Sequence, residues 1–120
     1  MKKTAAFFGA TGVILGALGA HALKDVLDPS ELNSLKTAVL YQMIHALALL
    51  AGAHFNLPRW VNLSWTTGII FFSFSIYALV LDRLLGLDLS AIGPITPLGG
   101  ILIVIGWVGV GISKNVSNEV

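Results

Sequence analysis

The residues able to do chemistry in this chain are few, and most of them lie on apolar ground. His45 falls within Thr37–Pro58, a run without Asp, Glu, Lys or Arg, and Tyr41 and Gln42 lie one turn before it. An imidazole, a phenol and an amide on one helical face can bind a small ligand, a proton or an ion, or they can bond to one another across helices. An ionisable group in hydrocarbon is costly, so it marks a site unless a neighbouring helix satisfies it. His21 stands near the end of an earlier uncharged run, Ser73 and Tyr77 lie in a later one, and Thr96 enters the last. Matching depths along antiparallel helices predicts that His21, Tyr41, Gln42, His45, Ser73, Tyr77 and Thr96 converge in one half of the protein.

Several chemistries fall away at once. The chain has no cysteine, which removes disulfides, thiolate ligands and thiol nucleophiles. No metal is expected: His21 and His45 should differ in depth by roughly 8 Å at a rise of 1.5 Å per residue, and no carboxylate joins them. Haem ligation by two histidines gains little from this spacing. With no G-x-S-x-G, no H-E-x-x-H and no phosphate-cradling loop, no catalytic residue and no cofactor are assigned. Asp82 and Asp88 belong at the mouth, where Asp82-Arg83 reads as a helix-end anchor. His54 falls near the opposite interface, too far along its helix to join the cluster.

The elements that must position these groups follow from where the charges fall. Of 120 residues, 56% are hydrophobic and 11% charged. A small soluble chain has too much surface to bury so large an apolar share. The net charge of +1 gives no support for nucleic acid as a partner. Four windows carry no Asp, Glu, Lys or Arg: Thr4–Leu23, Thr37–Pro58, Trp60–Leu81 and Leu89–Ser113. Each is long enough to cross a hydrocarbon core of about 30 Å, which takes ~20 helical residues. Helix is the form that satisfies its own backbone there, and period-2 alternation is missing. The expected fold is therefore all-α, one domain made of a four-transmembrane-helix bundle, with helices at about 3–23, 29–55, 60–84 and 94–114.

Local signals set those limits. Asp28-Pro29-Ser30-Glu31 has a capping carboxylate, proline at the first helical position and an acid at the third, a helix start. Asn56-Leu57-Pro58-Arg59 reads as a tight turn, and Trp60 and Trp65 as interfacial rings. Pro94 and Pro97 suit the first turn of the last helix. Lys2-Lys3, an apolar run and Ala20-His21-Ala22 imitate a cleavable signal, but the run is as long as a full span and three more follow, so it is read as retained. With four spans the termini share a side. Lys2, Lys3, Arg59 and Lys114 on it, against Lys24, Lys36 and Arg83 opposite, place the termini in the cytoplasm.

Without a hydrophobic force between helices in lipid, small residues that allow close approach decide packing. Gly9, Gly12, Gly16 and Gly19 make one face of the first helix, and Gly99, Gly106 and Gly109 one face of the last. These are expected to pack the bundle. Gly12-Val13-Ile14-Leu15-Gly16 also matches the helix-dimer pattern, which leaves a homo-oligomer open.

Four stretches carry a resemblance. Gly16-Ala17-Leu18-Gly19-Ala20-His21, then Thr37-Ala38-Val39 with Tyr41-Gln42-Met43-Ile44-His45-Ala46-Leu47-Ala48-Leu49, then Phe72-Ser73-Phe74-Ser75-Ile76-Tyr77, and finally Gly93-Pro94-Ile95-Thr96-Pro97-Leu98-Gly99-Gly100 with Gly106-Trp107. Together they resemble domain-of-unknown-function family 423, small bacterial inner-membrane proteins with distant mitochondrial relatives in animals. Phe74 departs from the glycine usual there. The resemblance implies a four-helix inner-membrane protein and no activity. The expected role is non-enzymatic: binding or assembly with lipid or membrane-protein partners. A transporter or channel component with a polar half-bundle site is the alternative, and a cofactor-binding membrane protein the second alternative.

Overall fold

A computed structural model describes residues 1–114. Four helices in it are long and apolar enough to cross a membrane: α1 (Lys2–Ala20), α2 (Pro29–His54), α3 (Arg59–Leu85) and α4 (Ile95–Ile112), the last preceded by a 3₁₀ turn at Ser90–Ile92. No strand occurs among the described residues. Consecutive helices run antiparallel because the turns between them are short.

The ends form for identifiable reasons. Asp28 caps α2: its Oδ1 accepts the Glu31 N–H at 2.8 Å, and Pro29 holds the first helical position. That bond is the main reason the Asp28 carboxyl sits below the usual aspartate range, with the Arg83 guanidinium adding to it. Gly86, at φ 66°, closes α3 in the left-handed conformation that glycine adopts without a Cβ penalty. Asn56, at φ 53°, makes the same turn between α2 and α3.

Helix α1 stops at Ala20, earlier than residue 23. Leu23 turns back and packs with Leu27 on Leu35 and Val80, plugging that end of the bundle. His21, Lys24 and Asp25 face outward around this plug. Helix α4 ends at Ile112, not 114, and the other limits shift by a single residue.

Within α3, Ile70–Phe74 form a π turn. The wider turn lies against Gly99 of α4, where a Cβ would stand 2.7 Å from Gly68 O and from Phe71 C. Backbone meets backbone here, as small residues allow in membranes. The α1 seam packs on α2 of the same chain: a Cβ on Gly12 would meet Met43, one on Gly16 Val39, one on Gly19 Leu35. Gly106 and Gly109 receive the Trp65 and Trp60 rings. Gly9 is the exception, since a Cβ there meets nothing within 4 Å. Its neighbours Ala5 and Phe8 still share the core with Ala46 and Leu49 of α2.

The core centres on Leu49, Val61, Trp65, Ile69 and Phe8. Trp65 is thus not an interfacial ring; it is 2% exposed and packs between α2 and α4. Trp60, a turn nearer the helix start, is exposed.

Candidate functional site

Helix α2 is the hub of the polar residues. Gln42 is fully buried, and its amide is engaged at both ends. Nε2 donates to Phe8 O at 2.7 Å and to Thr11 Oγ1 at 2.8 Å, while Oε1 accepts the Tyr77 hydroxyl at 2.7 Å. One side chain therefore ties α1, α2 and α3. An amide moved into an apolar medium without such bonds costs roughly 2–7 kcal/mol, so Gln42 fixes the rotation of all three helices.

His45 sits one turn deeper and points toward α4. Its Nδ1 is 2.7 Å from Tyr41 O, and its Nε2 is 2.9 Å from Trp107 Nε1. An indole nitrogen only donates and a carbonyl only accepts. The two bonds assign the proton to Nδ1 and the lone pair to Nε2, so a neutral imidazole satisfies both. Trp65 closes the group, edge-on to His45 with centroids 6.2 Å apart and tilted against Trp107 at 4.8 Å.

Three more pairs complete the set. Ser73, fully buried, donates to Ala38 O at 2.8 Å, joining α3 to α2. Thr96 pairs with Ser75 at 2.6 Å, and Ser64 donates to Leu102 O at 2.6 Å, both joining α3 to α4.

The expected cluster is thus four separate bonds, not one chamber. Gln42 and Tyr77 meet, as their depths required. His45 lies apart with Trp107, Ser73 bonds backbone, and Thr96 finds Ser75. Tyr41 is 39% exposed and lays its ring on Phe72 at 4.8 Å. His21 does not join. Gln42 lies beside Gly12, nine residues before His21, which sets His21 ~13 Å away along α1 at 1.5 Å per residue. It caps α1 as an exposed residue in the turn. Phe74 packs edge-on against Phe8 at 5.8 Å, and the close backbone approach of α3 and α4 lies at Gly99.

Thr11, Ser75 and Trp107 are partners that depth matching does not name. Trp107 carried a usable signal: an indole N–H inside an apolar helix needs an acceptor, and His45 was the acceptor available at mid-membrane depth. Among the described residues, two buried side-chain polar atoms have no hydrogen-bond partner, Asn62 Oδ1 and Trp65 Nε1. They lie against Gly52 and Gly106. No group of three or more His, Cys, Asp or Glu suited to a metal occurs among the described residues.

At the turn side of the bundle, Arg83 reaches from α3 to the start of α2. Its Nη2 is 3.0 Å from Glu31 Oε1 and 3.8 Å from Asp28 Oδ2. These groups rim a cleft of about 620 Å³ with Asp82 and Leu87. Arg83 is largely exposed, so solvent screens both contacts and they add little to stability.

Apolar spans joined by buried polar bonds define a helical membrane protein with a fixed interior. Residues 15–100 match the family described as Protein of unknown function (DUF423). Relatives named UPF0382 membrane protein include one from Schizosaccharomyces pombe, 43% identical over 88% of this chain and 92% of its own. One from Staphylococcus aureus is 40% identical over 78% and 76% of the two chains, and one from Haemophilus influenzae 40% over 80% and 77%. The chain belongs to this family of membrane proteins, whose fungal relative shows that it is not confined to bacteria. No solved structure matches it.

Proposed function

We propose that this chain is a non-enzymatic integral membrane protein of the inner membrane, termini toward the cytoplasm, whose rigid bundle offers fixed surfaces to lipid or to membrane-protein partners. One observation carries the proposal. The polar groups of the expected site are spent within the protein: the Gln42 amide at both ends, both His45 nitrogens, and the hydroxyls of Ser73, Tyr77 and Thr96. A solute pathway needs such groups free to exchange partners. Here each side chain makes at least one bond to another helix, of the kind that contributes ~0.6–2 kcal/mol in membranes, and His45 Nδ1 bonds within α2.

The test is His45→Ala and Gln42→Leu in the full chain, reconstituted in liposomes and also melted in detergent. Both variants are expected to lose stability, by about 1–2 kcal/mol each. Proton and potassium leak should equal that of empty liposomes for wild type and variants alike. A wild-type flux that His45→Ala abolishes without changing the melt overturns the proposal in favour of transport.

A further inference from the structure

Between α1 and α2, in the leaflet of the residue 21–28 turn, lies a crevice of about 300 Å³. Leu15, Gly16 and Gly19 line it on α1, the two glycines packed against Val39 and Leu35 of α2. Val39, Leu40 and Met43 form its wall on α2, and Lys36 stands at its mouth. Leu40 is 56% exposed, so the crevice opens sideways to whatever surrounds the bundle, not toward the core. From Lys36 to Met43 it descends seven residues, ~10 Å of helical rise.

The charge at the mouth decides what fits. Lys36 is the last charged residue before the uncharged run of α2, which puts its ammonium at headgroup level with its methylene stem along the crevice edge. It is exposed, and among the described residues the only ion pairs are those of Arg83 with Glu31 and Asp28. An unpaired cation above an apolar slot that opens to lipid complements one kind of molecule. We infer that Lys36 and the Gly16–Gly19 crevice form a binding site for an anionic phospholipid, the phosphate at the ammonium and one acyl chain against the two glycines. The inference rests on the bundle's role as a lipid-binding surface. Lipid retention and solute flux are separate readouts, so either can fail alone.

Native mass spectrometry of the full chain, titrated with phosphatidylglycerol or phosphatidylcholine of identical acyl chains, tests this. Wild type is expected to favour phosphatidylglycerol about five-fold, the weight of one basic side chain near an anionic group. Lys36→Gln should erase that preference, and Lys2→Gln, at the opposite interface, should keep it. Leu40→Trp, which fills the crevice from its exposed wall and leaves the core untouched, should weaken retention of both lipids with a wild-type melting curve. A Lys36→Gln protein that keeps the preference, or a folded Leu40→Trp protein that holds lipid as wild type does, overturns the site.

Discussion

Gly99→Ala tests the closest contact in the bundle. The added methyl would stand 2.7 Å from Gly68 O and from Phe71 C, and nearer still to Phe72 N. All three are backbone atoms of α3, two of them in its π turn, so no rotamer change relieves the overlap. The helices must part by about 1 Å to restore ordinary carbon contact of ~3.5–4.0 Å. That separation also stretches the Ser75–Thr96 and Ser64–Leu102 bonds beside it. Overpacking of this kind costs ~1–3 kcal/mol, against a helix-propensity gain of up to ~1 kcal/mol for alanine over glycine. The expected net loss is roughly 1–2 kcal/mol. Gly100→Ala is the paired control. Its Cβ meets only Phe72 Cδ2, at 3.9 Å, so the propensity gain stands alone and the variant should be neutral or more stable by up to ~1 kcal/mol. Unfolding in mixed micelles by dodecyl sulfate titration, followed by circular dichroism, measures both. Equal midpoints for the two variants, one residue apart, would refute the backbone contact and with it the α3–α4 register.

Two other predictions concern the ends of the bundle. The Asp28 carboxyl is held low by the Glu31 N–H and then by Arg83, so its folded pKa lies below the unfolded one. Its contribution is therefore complete above the unfolded value and is lost as pH falls through the folded one. Melts of wild type and Asp28→Asn should differ at neutral pH and converge in acid, and a difference that persists in acid refutes the cap. For sidedness, cysteine placed at Lys24 should react with an impermeant thiol reagent added outside intact bacterial cells. Cysteine at Lys3 should react only after the cells are opened, and the reverse pattern inverts the topology.

Burial in lipid leaves a plain mark on a sequence, because a charge within a span is costly wherever the span packs. The uncharged gaps Lys3–Lys24, Lys36–Arg59, Arg59–Asp82 and Asp88–Lys114 therefore announced four helices, and Asp28-Pro29 marked the start of α2 through local backbone chemistry. The pairing of Gln42 with Tyr77 was also within reach, since depth alone aligns them. Partner choice beyond that depends on helix rotation and on where each helix stops, and neither is a local property. Leu23 folding onto Leu27 and Val80 ended α1 early, and the register that sets Gly12 beside Gln42 left His21 outside the cluster. The Gly99 contact with the π turn set how α4 lies on α3, and the rotation of that helix brought the Trp107 indole to His45. Only the packed bundle turned a set of isolated polar residues into bonds between named atoms, because each bond needs two helices whose separation and rotation are fixed by all the others.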